Sequence, residues 1–232
     1  MLATVGSPTT KQYAHVAPPH AAISLTAPGI ILRHFQPHEL VFSQGQPQSH
    51  VYEVQAGVVC TYRLLSDGRR QVSGFYFPGD LIGTGVPGTY FHSAETISQA
   101  RLRQIPIAAV GELIRTRPDI GLKLLELASV ELEGLSDHLM SLGRRNAMER
   151  IASFLMGLSK RNGRHGEDPA KLTLPMTRSD IADFLGLTIE TVSRTFTQLR
   201  RQQIIALPHP QSVRLLDIGR LADLADAQPE TP

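Results

Sequence analysis

The sequence predicts an α+β protein: an N-terminal antiparallel, jelly-roll-like β-roll, a long helix, and a C-terminal pair of short helices followed by a small wing. Three observations predict it. Short β-type runs punctuated by glycine fill residues 30–106, leucines recur at heptad spacing between residues 125 and 142, and residues 177–200 read as two capped helices joined by a glycine turn. The expected boundaries are 1–28 for a loose extension, 29–117 for the β-roll, 118–142 for the long helix and 143–232 for the C-terminal domain.

Composition sets the outer bounds. With 232 residues and 41% hydrophobic side chains, the chain is long enough for one large or two modest domains, each with its own core. It holds no run of about 18 apolar residues and no apolar leader segment, so a soluble, cytoplasmic protein without membrane contact is expected. The single cysteine, Cys60, excludes a disulfide framework within the chain and an iron–sulfur cluster held only by cysteines of one subunit. Net charge is +2 but unevenly spread: residues 144–214 carry twelve Lys/Arg against six Asp/Glu, while the remainder carries eleven basic and fifteen acidic side chains. A basic C-terminal region suits phosphate attraction, although such patches also occur without a nucleic-acid partner.

Residues 1–28 are rich in Ala, Pro, Ser, Thr and Gly and show no sustained period, which predicts a loosely docked extension. His15 and His20 lie there, far from any other ligand-type signal. From about Ile30 to Pro106 the runs are ELVFSQG, VYEVQAG, VVCTYRLL, QVSGFYFPGD and ETISQARLRQIP. Val51, Val54, Val58, Tyr62, Leu64, Phe75 and Phe77 suit strands, and Ser66-Asp67-Gly68-Arg69 is a hairpin turn signal. Strands this short at this spacing imply a small antiparallel barrel or jelly roll with room for a pocket.

A cupin-type metal enzyme would gather histidines and a carboxylate on neighbouring strands, and His34, His38, Glu39, His50 and His92 are available. No His-x-His pair occurs, however, and three of these histidines sit beside Pro, Gln or Ser in turn-like context. Solvated loop histidines are therefore expected, with no metal, no cofactor and no enzymatic site. Cys60 lies in a β-type run and reads as a small packed residue rather than a nucleophile or sensor.

Ile107 to Arg117 reads as a short helix, and Pro118 is well placed to open a longer one. Along it Leu125, Ala128, Leu132, Leu135, Leu139 and Leu142 alternate at spacings of three and four. This is a heptad seam, which keeps one apolar stripe against a partner helix. The same stripe could be the buried face of an intramolecular helix. Leu124 and Leu127 form a second apolar flank able to pack on the chain's own β-roll, which leaves the seam for a second subunit in a parallel dimer. Gly143 is expected to interrupt the helix. A second amphipathic helix follows, with Ala147, Ile151, Phe154, Leu155 and Leu158 inward, then a polar loop from Ser159 to Ala170.

The segment TRSDIADFLGLTIETVSRTFTQLR carries the most information. Thr177 is a good N-cap three residues before Asp180, and Ile181, Ala182 and Leu185 form an apolar face. Gly186, free to take positive φ, stops the first helix, and Thr188 is placed to cap the second. On that second helix Val192, Phe196 and Leu199 line one side and Glu190, Ser193, Arg194 and Thr197 the other. Arginine can pair with guanine O6 and N7, glutamate can accept from cytosine N4, and serine can serve bases or phosphates. An ordinary surface helix with a Glu190 to Arg194 pair is the bland alternative. In a docked helix-turn-helix the first helix crosses the DNA backbone, which makes Thr177, Arg178, Asp183, Thr188, Thr197 and Arg200 candidates for that neighbourhood. A carboxylate at Asp183 would then repel phosphate, and Asp183→Asn would tighten DNA binding at low salt; alternatively Asp183 points to water or pairs with a basic neighbour. QIIALPHPQSVRLLD reads as two strands of a wing, and Ile218 to Ala227 as a last helix before a Pro-rich tail. The C-terminal domain is thus predicted to be a winged helix-turn-helix.

In this order of parts the chain resembles the CRP/FNR superfamily of bacterial transcription regulators over about Pro37 to Ala225. Gly57, Gly68 and Phe77-Pro78-Gly79-Asp80-Leu81-Ile82-Gly83 match its sensory β-roll, and Leu185-Gly186-Leu187-Thr188-Ile189-Glu190-Thr191-Val192-Ser193-Arg194 is similar to its FNR and FixK branch. The resemblance implies a homodimer on double-stranded DNA, a palindrome of TTGAT-like half-sites, and action mainly as an activator that touches RNA polymerase. It implies base reading by Glu190, Ser193 and Arg194. The several cysteines that hold the cluster of FNR proteins are missing. The stretch from Gly83-Thr84-Gly85 to Phe91-His92-Ser93-Ala94 lacks the glutamate and arginine that hold a cyclic nucleotide in other members, and without the arginine a buried phosphate would lose its bidentate partner. FixK-like members, which this pattern fits best, typically need no effector. A ligand-gated regulator with an unidentified effector in the β-roll, or a barrel enzyme with an accessory DNA-binding domain, are the alternatives.

Overall fold

The glycine-punctuated runs form strands β1 (Ile31–Phe35), β2 (Leu40–Phe42), β3 (His50–Ala56), β4 (Val59–Leu64), β5 (Arg70–Tyr76), β6 (Leu81–Ile82), β7 (Ser93–Thr96) and β8 (Ala100–Pro106) in a computed structural model that describes residues 28–85 and 88–226. Residues 1–27 of the expected extension, and the tail after residue 226, lie outside the described residues. The strands pair antiparallel into two sheets, β1-β8-β3-β6 and β2-β7-β4-β5. Phe35, Phe42, Tyr52, Val54, Val59 and Leu102 fill the space between them, with the Phe42 and Tyr90 rings stacked at 4.0 Å. This is the expected jelly-roll-like architecture. One run was more than one strand: ETISQARLRQIP splits into β7 and β8, which belong to different sheets. At that crossing Ser98 Oγ accepts from the Val58 N–H, and Gly57 lies so close that a Cβ on it would collide with the Gln99 carbonyl oxygen.

Helix α1 (Ile107–Thr116) leads into α2 (Pro118–Arg144), which has proline in its first turn. Ile120, Leu124 and Leu127 pack on Val51, Leu81, Ile105 and Val110, so the second apolar flank does face the chain's own β-roll. Leu125, Leu132 and Leu139 are left 64%, 66% and 68% exposed, in line with Ala128 and Leu135. Leu142 departs from this stripe. It is half-buried, and its Cδ2 approaches the backbone of Gly186. Gly143 does not interrupt α2, contrary to expectation: the helix runs one residue beyond it, closed by the Arg145 N–H on the Ser141 carbonyl. The cost of glycine in a helix, about 1 kcal/mol, is small enough to be offset by tertiary support, here from Arg150, which donates to the Leu142 and Arg145 carbonyls.

Two extended residues, Arg145 and Asn146, join α2 to α3 (Ala147–Arg164), where Asn146 and Glu149 form a capping box. The expected loop from Ser159 is corrected in its first half, which continues the helix. Ser159 and Arg161 are buried there, because Arg161 reaches the β-roll: Nη2 lies 3.1 Å from Asp80 Oδ1 and 3.2 Å from the Pro78 carbonyl, and the guanidinium covers Phe77. Burial pushes the Asp80 carboxyl up to about 7 while Arg161 pulls it down. Removing either partner alone would leave an uncompensated buried charge, which is strongly destabilising.

After β9 (Lys171–Thr173) come α4 (Arg178–Leu185), α5 (Ile189–Arg201), β10 (Ile205–His209), β11 (Ser212–Leu215) and α6 (Ile218–Asp226). The wing has the two expected strands and a third, β9, paired on β11. The β-roll and the winged domain share one core: Val58, Cys60, Val72 and Phe75 join Phe154, Leu155 and Phe184. Cys60 is fully buried there, and burial pushes its thiol up to about 12, far from a reactive thiolate.

His138 of α2 stacks on Phe184 of α4, centroids 4.4 Å apart and nearly parallel. Burial holds its imidazole below the ordinary value of 6.5, the Phe184 backbone pulling the other way. Folding therefore favours neutral His138, so its contribution to stability is full above pH 6.5 and is lost as pH falls from there toward the depressed folded value. Acidification from about pH 7.5 to 5.5 should lower the melting temperature more in the wild type than in His138→Phe, which keeps the ring stack but cannot titrate. Parallel thermal scans of both proteins check this.

Candidate nucleic-acid interface

Helix α5 is built from its caps inward. Thr177 Oγ1 accepts from the Asp180 N–H, and Asp180 Oδ2 accepts from the Thr177 N–H, which closes the capping box of α4. Gly186 sits at φ +62°, the left-handed value that ends α4, and two residues later Thr188 Oγ1 accepts from the Thr191 N–H to start α5. Val192, Phe196 and Leu199 are buried against Ile181, Ala182 and Leu185. One face of α5 is thereby locked, and the opposite face is turned outward.

On the outward face Glu190, Ser193 and Arg194 are all exposed. They lie at offsets of three and four, so a single groove of DNA can meet them together. Arg194 directs Nε at the Glu190 backbone carbonyl, 3.4 Å away. The Glu190 carboxyl is held below its usual range, first by its own backbone N–H, then by Thr188 and Arg194, and so stays an acceptor. Thr197 turns its hydroxyl back to the Ser193 carbonyl at 3.0 Å. Thr177, Thr188 and Arg200 are exposed. Arg178 is half-buried, with its guanidinium 3.6 Å over the Phe196 ring, where it covers the α4–α5 core.

Asp183 follows the second of its two readings and pairs with a basic neighbour. Its carboxylate lies 3.6 Å from Arg70 Nη1 of the β-roll, and its backbone carbonyl accepts from Gln71 Nε2 at 2.7 Å. The charge that was to repel phosphate is offset by Arg70, so the expected gain from Asp183→Asn shrinks accordingly. Two residues on or beside the outward face of α5, Gln198 and Ile189, were not singled out by the sequence, whereas Arg201 reads there as at most a phosphate contact. Gln198 and Arg201 share a shallow hollow with Ser193, Arg194 and Thr197, and continuing the three-four spacing past Thr197 finds Arg201. Ile189 is 47% exposed at the first turn of α5, where an apolar side chain can meet a thymine methyl group.

Inside the β-roll a cavity of about 400 Å³ lies between the two sheets and α2, lined by Gln48, Thr61, Ser73, Tyr76, His92 and Glu131 among others. Among the described residues lining it there is no lysine or arginine. Its carboxylate comes from α2: Glu131 Oε1 accepts from the Tyr76 hydroxyl at 3.0 Å. Burial pushes Glu131 up, and Tyr76 opposes that. No group of three or more His, Cys, Asp or Glu among the described residues is arranged to hold a metal ion, and no helix among them is long and apolar enough to cross a membrane.

A β-roll, a helix with an exposed leucine seam and a winged helix-turn-helix with a polar reading face define a DNA-binding transcription regulator. Residues 32–117 match the family model of the cyclic nucleotide-binding domain and residues 149–224 that of the Crp-like helix-turn-helix domain. The nitrogen fixation regulation protein FixK of Bradyrhizobium diazoefficiens is 44% identical over 84% of this chain and 81% of its own length. The transcriptional activatory protein AadR of Rhodopseudomonas palustris is 41% identical over 83% and 80%. The structure of FixK2 from Bradyrhizobium japonicum superposes with a TM-score of 0.80 at 34% identity, over 85% of this chain and 98% of that one. The chain belongs to the CRP/FNR family of transcription regulators, in its FixK-like branch. Regulators of this family act as dimers on DNA.

Proposed function

We propose that this protein is a cytoplasmic homodimer that activates transcription by reading a palindrome of TTGAT-like half-sites, without a small-molecule effector, and by touching RNA polymerase. The observation that carries the reading is the exposed Glu190, Ser193, Arg194 face on a helix whose other side is fully packed. Arg194 pairs with a guanine, Glu190 with a cytosine N4 and Ser193 with a neighbouring base. Thr177, Arg178, Thr188, Thr197 and Arg200 lie along the phosphates, with Asp183 nearby and offset by Arg70. Leu125, Ala128, Leu132, Leu135 and Leu139 form the dimer seam, and Leu142 closes it against the helix-turn-helix. By role the chain divides into an extension (1–28), the β-roll (29–117), the dimerisation helix, 118–144 rather than the expected 118–142, and the DNA-binding domain that follows the Arg145–Asn146 joint.

Two features support an effector-free regulator. The β-roll cavity offers a phosphate no cation among its described lining residues and presents the Glu131 carboxyl group instead, which cannot give a cyclic phosphate a charge-assisted partner. The size of that same cavity supports ligand gating as a second reading. Native mass spectrometry of purified protein separates the two, since a bound metabolite appears only in the second.

Base reading is tested at one residue. Arg194→Ala is expected to relax preference at one position of each half-site, with a loss of discrimination of roughly 1–3 kcal/mol per base pair. Arg201→Ala should weaken cognate and mismatched sites alike. Competition binding with single-base variants of one palindrome checks this, and equal weakening of all sequences by Arg194→Ala would remove its base-reading role.

A further inference from the structure

The DNA-binding domain is joined to the seam helix by only two non-helical residues, Arg145 and Asn146. A joint that short sets where the domain begins but leaves its orientation to non-covalent contacts. The first helix of the helix-turn-helix is held at both ends, by two arginines that belong to neither of its own turns. At its start Arg70 Nη1 of β5 lies 2.7 Å from Asp180 Oδ1, the free oxygen of the carboxylate whose other oxygen caps α4. The same guanidinium is fixed from behind by Cys60 Sγ at 2.9 Å and by the Tyr62 ring. At its end Arg150 of α3 donates to the Leu185 and Gly186 carbonyls, at 3.0 and 3.3 Å. It donates as well to Leu142 and Arg145 at the end of the seam helix, at 2.8 and 2.9 Å. Arg150 thus ties the last carbonyls of two helices, which lack partners within their own helices, to one rigid planar group.

We propose that Arg70 and Arg150 are positioning residues for DNA reading, which pin the two ends of α4 to the β-roll and to the seam helix and so fix the separation of the two recognition helices in a dimer. The inference rests on the proposed reading of a palindrome by a homodimer. Neither arginine need touch DNA: each acts through α4, on which α5 is packed. Moving one half-site by a base pair displaces it by about 3.4 Å and rotates it by about 34°, a change that a pinned pair of helices cannot follow. A loosened pair can.

The test measures binding of full-length wild type, Arg70→Gln, Arg70→Lys and Arg150→Gln to palindromes with the preferred half-site spacing and with one base pair added or removed. The wild type should favour the preferred spacing by about tenfold or more, a free-energy gap of about 1.4 kcal/mol. Arg70→Gln and Arg150→Gln should each narrow that ratio to about threefold, as expected from loss of charge-assisted contacts at a partly buried site, while the preference for cognate over mismatched half-sites stays unchanged. Arg70→Lys, still able to reach Asp180 with its ammonium, should recover part of the spacing preference. A merely structural defect would lower all affinities together and leave the spacing ratio intact. Retention of the wild-type ratio in either folded, dimeric Gln variant overturns the pinning of that end. If one variant does not fold, the other decides. A wild type that selects no palindrome at any spacing contradicts the proposed function instead, so the two failures are distinguishable.

Discussion

Replacing Leu132 and Leu139 together by lysine is expected to give a folded monomer whose affinity for the palindrome falls on the order of 100-fold or more. Both leucines stand on the exposed stripe of α2, 66% and 68% accessible, so their exchange removes nothing from the core of the chain that carries them. In a dimer the same positions face each other across the seam, and paired lysines there must be desolvated against like charge. Two half-sites about one helical turn apart need two linked recognition helices, and a monomer engages only one. Sedimentation and DNA titration measure the two effects separately. A full dimer at the concentrations of the wild type would reject this seam.

The second large effect is expected at Phe184. Its ring is fully buried, stacked on His138 from α2 and packed against Phe75 of the β-roll and Phe154 of α3, with centroids 5.2 and 5.9 Å away. Phe184→Ala should cost about 3–5 kcal/mol in equilibrium unfolding, the range for a large ring removed from a core that collapses only partly. Because all three neighbours come from different parts of the chain, the loss should fall on their mutual docking. Denaturant titration checks the size. A cost below about 1 kcal/mol would mean that the winged domain and the β-roll are not held by this contact.

Local chemistry explains why so much of the reading motif was legible in the sequence. Thr177, Gly186 and Thr188 act on their immediate neighbours, so their capping roles follow from spacing alone, as do the buried Val192, Phe196 and Leu199. The alternation of the β-roll and the heptad stripe of α2 are likewise periodic signals. What spacing could not show is where distant segments meet. Arg70 and Asp183 are 113 positions apart in sequence, and no pattern within α4 says which basic residue meets Asp183. Arg161 falls in the stretch that reads as a polar loop, and its partner Asp80 lies 81 positions away. Glu131 falls between seam leucines and reads as a solvated helix residue, yet it lines the β-roll cavity. The third wing strand, β9, spans only three residues, too few for a period. Leu142 keeps the heptad but not the exposure, because the chain turns back at Arg145 and brings Gly186 against it.

The central claim is that this chain reads a defined palindrome as a dimer, by itself. It is tested most directly by selecting preferred DNA from a random pool with purified, ligand-free protein. Enrichment of an inverted repeat of TTGAT-like half-sites is expected, centred about one helical turn apart, with the base opposite Arg194 among the most constrained. Enrichment of single half-sites, or of no sequence until a small molecule is added, would contradict it.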